Sequence, residues 1–444
     1  FEKKISEITV SNELKRNPFM TYNKLKLNDS IKKFNILDIE SYLKVLNISP
    51  EYIIFDDIDF YLKLGKIISL ESIDTLKEYL YLCVINSFAP YCSSYYEEQY
   101  FNFYGRILSG QKIQKPLKER ITNHVNLYLD DAVGVLFVET YFNESSKLYV
   151  EEMVNNFKDT LNTIILKLDW MSNKTKKNAL HKLKHITYKI GYPCKSTLKK
   201  YDKLIITNES YVGNIINCKH FDFIFDILEI DTKVNKKKWN MSPQTINAYY
   251  NPNYNEIVFP ASLLQKPFFS IEQSIPENYG GIGAVIGHEI THAFDDEGCN
   301  YNHKGILNNW WETQDKQKFM EESNKMLIQY SNYKIQNFHI NSKLTLGENL
   351  ADYGGIKISL LTMLNKNPNF NTEIKKNMKT IKSINDFTST QQFFISYANI
   401  WKSLTTKENT IKKLKIDPHS PNILRVNGPL SIIDEFHKSF DVNK

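Results

Sequence analysis

Two histidines four residues apart, His288 and His292, constrain this chain more than any other feature. With Glu289 between them they spell H-E-x-x-H. Positions i and i+4 share one face of an α-helix, so this segment has to be helical for both imidazoles to reach one ion. Glu289 follows the first histidine directly, so it can face a metal-bound water instead of the metal. Two neutral nitrogen ligands, an open coordination position and a general base are the minimum for zinc-assisted hydrolysis. The five-residue pattern also arises by chance in long chains, so the rest of the sequence has to decide.

The 444 residues suffice for two or three domains and a large buried core. The chain opens on Phe1 instead of Met, which reads as a fragment or a processed product. A net charge of +6 is mild for this length and argues against nucleic acid as a partner. The lysine clusters at Lys236-Lys237-Lys238, Lys375-Lys376 and Lys412-Lys413 read as solvated faces. No run of 18 or more apolar residues and no signal peptide is present, which excludes a membrane span in this segment only. The five cysteines (Cys83, Cys92, Cys194, Cys218, Cys299) are widely spaced with no C-x-x-C pair, so a structural zinc site is not expected. Buried thiols are the default, and one disulfide, Cys83 to Cys92, is an option in an oxidising compartment. Six N-x-S/T sequons, at Asn28, Asn47, Asn143, Asn173, Asn208 and Asn240, point only weakly to secretion in so Asn-rich a chain.

Residues 1 to about 205 read as a helical lobe. Apolar residues recur at three- and four-residue spacing, as in Ile73, Leu76, Leu80 and Val84, and in Val150, Met153, Phe157 and Leu161. Gly191-Tyr192-Pro193 signals a turn, and a domain boundary is expected near 205, with 206–444 forming the second lobe. There, Asn247-Ala248-Tyr249-Tyr250 and Glu256-Ile257-Val258-Phe259 read as strands joined by Asn251-Pro252-Asn253, a hairpin. Gly280-Gly281-Ile282-Gly283 leads into the motif helix, and helices are expected at about 311–331, 347–365 and 386–404.

Hydrolysis at such a site requires a third protein ligand. One class places a histidine six residues after the second, with glycine at +3. Here those positions hold Gly298 and Asp295, so that class is excluded. The best candidate is Glu348, in Gly347-Glu348-Asn349-Leu350-Ala351-Asp352-Tyr353-Gly354-Gly355. Glu348 and Asp352 share a helix face, so one can bind the metal while the other accepts the remaining N–H of a ligand histidine.

These segments resemble the neprilysin and endothelin-converting enzyme family of zinc metallopeptidases. The resemblance is carried by Asn278 through Asp296, which contains the histidine motif, and by Glu348–Asp352, which matches the family's E-N-x-A-D-x-G-G. Further matches are Asn247-Ala248-Tyr249-Tyr250, Phe259-Pro260-Ala261 with Gln265 and Pro267-Phe268-Phe269, and His419-Ser420-Pro421 with Arg425-Val426-Asn427-Gly428. In the first lobe, Leu168-Asp169-Trp170-Met171 and Ile190-Gly191-Tyr192-Pro193 also match. Several long motifs in family order are far more specific than any one of them.

The resemblance implies a mainly α, two-lobed fold: a thermolysin-like zinc catalytic lobe with a small hairpin or sheet, and a helical lobe that encloses the active site. It implies one zinc ion on His288, His292 and Glu348, with Glu289 as base and Asp352 orienting a ligand histidine. His419 would donate to the oxyanion, Arg425 would hold a substrate carbonyl, and Asn247 with the Ala248 backbone would grip an extended peptide. Asp295 or Asp296 could partner His288 or His292. Trp310 and Trp311 read as packing, Cys299 as a buried inert thiol, and His303 and His339 receive no role. Oligopeptides are the implied substrates, cut before a large apolar residue.

Relatives of this kind usually carry a cytoplasmic tail, one membrane span and a large ectodomain, so the resemblance implies an extracellular or cell-surface location with a longer form anchored in the membrane. It places Phe1 part-way into the helical lobe and Lys444 before the usual cysteine-containing end. The family's C-V-x-x-V-N stretch appears here as Ile121-Thr122-Asn123-His124-Val125-Asn126, without the cysteine. The rival reading is a peptide-binding homologue without turnover. A zinc aminopeptidase is excluded by the lack of a G-x-M-E-N motif.

Overall fold

The computed structural model describes residues 1–230, 232–376 and 382–442, and the chain forms two compact units. Neither follows the single boundary expected near 205. One unit comprises residues 1–129 and 198–235, the other 130–197 and 236–444.

The first unit is mostly helical, as the spacing of its apolar residues predicts. Its longer helices are Ile58–Leu70, Ile73–Phe88, Leu117–Tyr128 and Tyr211–Glu229. Asp57 and Ser72 cap the first two by accepting the orphan amides of the opening turn. Strands Asn23–Lys26 and Tyr52–Phe55 add an antiparallel pair that the sequence reading did not anticipate. The Ile73, Leu80 and Val84 stripe is helical but exposed, and helix Ile73–Phe88 buries no residue. Among the described residues no disulfide forms, and Cys83 and Cys92 remain exposed thiols.

The second unit holds the main core. Helix α1, Glu144–Lys167, buries Val150, Met153, Val154, Phe157 and Ile165. Helix α2, Asn173–Lys184, follows under a Ser172 cap. Strand β1, Thr187–Gly191, pairs in parallel with β3, Glu256–Pro260, and β2, Tyr249–Asn251, pairs antiparallel with the other side of β3. The order is therefore β1-β3-β2: the expected hairpin is present and gains a parallel strand from far upstream. Every residue of β3 is buried, as a central strand covered on both faces requires.

This pairing explains why residues 130–197 leave the helical lobe. A strand satisfies its backbone only beside a partner, and β1 finds β3 across 69 residues in the register Thr187 to Glu256. Helix α1 joins the same core, with Thr160 hydrogen-bonded to Thr362 at 2.8 Å.

Four helices complete the frame of the site. They are α3, Ala284–His292; α4, Thr313–Ser331; α5, Leu346–Lys366; and α6, Ser389–Ile400. A π-helical turn, Tyr279–Gly283, leads into α3, and α7, Asn422–Leu430, lies nearer the C-terminus. Helices α3 and α5 cross at two glycines. A Cβ on Gly287 would stand 2.7 Å from the Gly355 oxygen, and one on Gly355 would stand 2.6 Å from the His288 nitrogen. Only hydrogen side chains permit so close a crossing. No helix among the described residues is long and apolar enough to cross a membrane.

Candidate metal centre

Helix α3 presents His288, Glu289 and His292 from a segment that is buried almost throughout. One turn separates the two imidazoles, and their Nε2 atoms face each other at 2.9 Å. From the first turn of α5, Glu348 brings Oε2 to 3.2 Å from His288 Nε2 and 3.7 Å from His292 Nε2. The close crossing at Gly287 and Gly355 sets this approach, since Glu348 lies two turns from Gly355 on the same helix.

The opposite nitrogens of both rings face carboxylates. Asp352 Oδ1 lies 2.9 Å from His288 Nδ1, and Asp295 Oδ2 lies 2.7 Å from His292 Nδ1. A proton held at Nδ1 by a carboxylate leaves Nε2 with its lone pair, which is how ligand imidazoles are oriented. Asp295 is held in turn by the amides of Glu297 and Gly298, at 2.9 and 2.6 Å. Of the two aspartates raised as candidates, Asp295 makes this contact.

The donor set fits zinc. With bonds of 2.0–2.2 Å, ligand atoms around a tetrahedral zinc stand about 3.3 Å apart, and the three distances here bracket that value. Glu348 Oε2 is buried and makes no hydrogen bond, though imidazole nitrogens surround it. The charge balance also calls for a cation: Glu289, Asp295 and Asp352 are buried and Glu348 half-buried, with the buried Arg425 guanidinium bonded to Asp352. Burial opposes a charged His292, yet Glu348 and Asp295 push it up to about 10. Glu348 shows the reverse: burial would raise it, and His292, His288 and His419 hold it well below the ordinary carboxylate range. Burial lifts the Glu289 carboxyl, against the pull of His288 and His292.

The remaining expected residues divide. His419 reaches the site, with Nε2 at 3.2 Å from Glu348 Oε2. Its loop is tied to α5 by Ser420, which donates to Asn349 at 2.8 Å. Arg425, on α7, is buried and directs Nε and Nη2 to Asp352 at 2.8 and 2.6 Å. Its first partner is thus the carboxylate behind His288, a role the sequence reading did not give it. Asn247 is exposed and Ala248 buried immediately before β2, the edge strand, which packs against α3.

Sequence reasoning missed three residues. Asp417 Oδ1 accepts from the His419 amide at 3.0 Å and faces its Nδ1 at 2.8 Å. Its place two residues before His419, across Pro418, was the available signal. Trp401 stacks under the Arg425 guanidinium, 3.9 Å from ring centroid to Cζ, and Tyr397 donates to the Arg425 carbonyl at 2.7 Å. Neither has a local signal, because α6 and α7 meet only in the fold. Trp310 and Trp311 pack as expected, stacked at 4.6 Å with their indole N–H groups on the Tyr301 and Cys299 carbonyls. Cys299 is a buried thiol pushed by burial up to about 11.

Comparison with known proteins agrees with this geometry. Sequence profiles of peptidase family M13 match residues 1–193 and 247–444. An endothelin-converting enzyme homolog of Locusta migratoria is 35% identical over 89% of this chain and 54% of its own length. Human neprilysin is 33% identical over 100% of this chain and 61% of its own. The chain thus spans somewhat over half the length of the curated relatives it matches. Among solved structures, the Mycobacterium tuberculosis zinc metalloprotease Zmp1, in complex with an inhibitor, superposes with a TM-score of 0.91 at 31% identity, covering 100% of this chain and 67% of that one. PepO from Lactobacillus rhamnosis superposes with a TM-score of 0.87 at 28% identity, over 99% and 67%. A thermolysin-like frame, a two-histidine and one-glutamate donor set and profile matches on both sides of the chain lead to one assignment: the chain belongs to peptidase family M13.

Proposed function

We propose that this chain is a zinc-dependent endopeptidase that hydrolyses bonds within oligopeptides. The observation that carries the proposal is the convergence of His288, His292 and Glu348 with Glu289 buried beside them, in a chain of this family. One zinc ion per chain would be held by those three residues. When bound, zinc supplies Lewis acidity, polarising a carbonyl and acidifying water.

Glu289 takes a proton from the attacking water and later delivers it to the leaving amine. Its burial raises its affinity for that proton, which suits both steps. His419 stabilises the developing oxyanion. Asp417, facing Nδ1, orients the ring so that Nε2 is the nitrogen turned to the site. Arg425 holds Asp352 in place, and the N–H groups it does not spend there are the donors for a peptide carbonyl. An extended substrate pairs with the exposed edge of β2, with Asn247 and the Ala248 backbone gripping its main chain. Main-chain recognition tolerates many sequences. The preference for a large apolar residue after the cleaved bond is supported by the family resemblance, as is a cell-surface location for a longer, membrane-anchored form.

The test is a quenched peptide with a blocked N-terminus. Internal cleavage is expected, abolished by a chelator. Glu289→Gln should lower kcat by about 10²–10⁴-fold while zinc stays bound. Fully zinc-loaded protein that binds blocked peptides and never cuts them would leave a binding protein in place of an enzyme.

A further inference from the structure

Away from His288, His292 and Glu348, three other imidazoles meet at the surface of the same unit. His181 and His185 stand one turn apart, on α2 and at its C-terminal end, and His303 comes from the loop after α3. Their ring centroids lie 4.1 Å apart for His181 and His303, 4.3 Å for His181 and His185, and 5.2 Å for His185 and His303. The meeting is built in from beneath. Lys182 is buried and donates to the carbonyls of Gly298 and Tyr301 at 2.6 and 2.7 Å, which docks the loop on α2. Asn255 adds a bond to the Lys182 carbonyl at 3.1 Å and reaches the His303 carbonyl at 3.5 Å.

The orientation of one ring points to a metal. His185 Nδ1 lies 2.8 Å from the His181 carbonyl oxygen, so Nδ1 carries the proton and Nε2 keeps its lone pair. That is the tautomer a ligating histidine adopts. Imidazole donors without a carboxylate suit borderline ions better than hard cations. Among the described residues only His288, His292 and Glu348 already bring their ligand atoms within 4.8 Å of one another. Convergence of the surface rings on one ion requires turning about χ1 and χ2, and His181 and His185 are exposed.

We propose that His181, His185 and His303 form a second, solvent-open site for a borderline divalent transition ion such as zinc, clamping the end of α2 to the loop that follows α3. It is independent of the hydrolytic reading and binds more weakly than the site of His288, His292 and Glu348, because it lacks a carboxylate and its rings must reorient.

The test starts from protein carrying one zinc per chain, with cysteines alkylated because Cys83, Cys92 and Cys194 are exposed. Zinc is titrated in by calorimetry and the melting temperature followed. A second equivalent is expected, with Tm rising roughly 3 °C for each tenfold excess over its dissociation constant. The variant combining His181→Ala and His303→Ala should keep the first equivalent, peptide cleavage and its metal-free Tm, and lose the second equivalent with its Tm rise. Equal zinc uptake by the variant, or no second equivalent in the wild type at millimolar zinc, would overturn the site.

Discussion

At Asp352 one carboxylate serves two partners. It faces His288 Nδ1 at 2.9 Å and accepts both Arg425 bonds, inside a site where Arg425 is itself buried over Trp401. Asp352→Ala therefore leaves a buried guanidinium without its partner and frees a ligand ring to turn. The expected cost is about 3–5 kcal/mol of stability in urea unfolding and roughly 10–100-fold in zinc affinity. Native stability in that variant would show that Arg425 finds another partner. Glu348→Ala should remove most of the bound zinc, and unchanged metal content would strike Glu348 from the ligand set. At this scale the sequence was most legible where the signal was local. His288, Glu289 and His292 follow from one helical turn, and Glu348 with Asp352 from another. Asp417 was within reach by its spacing from His419. The bond between Arg425 and Asp352 was not, because 73 residues separate the partners and neither side chain announces the other.

Elements decide how the local signals meet. Helices α3 and α5 carry all three proposed ligands between them, and their approach is set at Gly287 and Gly355. A Cβ at 355 would stand 2.5 Å from the Ala284 oxygen and 2.6 Å from the His288 nitrogen. Relief requires the helices to part by roughly 1 Å. Gly355→Ala is thus expected to cost about 1–3 kcal/mol and to weaken zinc binding at least tenfold, with helical circular dichroism retained. Wild-type zinc affinity in a competition titration would show that the crossing does not set the ligand geometry. The element pattern was read well where periodicity is strong, at helices expected over about 311–331 and 347–365 and found at Thr313–Ser331 and Leu346–Lys366. Strand β1 escaped because a five-residue strand ending at Gly191 looks like the approach to a turn, and its partner lies far downstream.

For the whole molecule, the two units are discontinuous in sequence, and all five tryptophans (Trp170, Trp239, Trp310, Trp311, Trp401) fall in the unit that holds the metal centre. Tryptophan fluorescence therefore reports the melting of that unit alone. A metal shared by α3 and α5 stabilises it by mass action, about 4 kcal/mol when free zinc exceeds the dissociation constant a thousandfold. Chelation should lower the fluorescence-detected Tm by several degrees, and an unmoved transition would mean that the ion does not join the two helices. The expected boundary near 205 differed from this division because periodicity describes an element's own faces and carries no record of which distant element covers them.

The sequence by itself determined the chemistry: two histidines one turn apart, a glutamate between them, a carboxylate pair on a second helix and the motif order of the family. These are short-range facts, written in spacings of three or four residues that helix geometry converts directly into shared faces. Only the tertiary structure decided which carboxylate backs which histidine, that Arg425 is held by Asp352, that β1 closes the sheet of the second unit, and that His303 reaches His181 and His185. Those contacts join residues tens of positions apart and are set by close packing, where a glycine crossing or a buried lysine fixes distances that no local pattern contains.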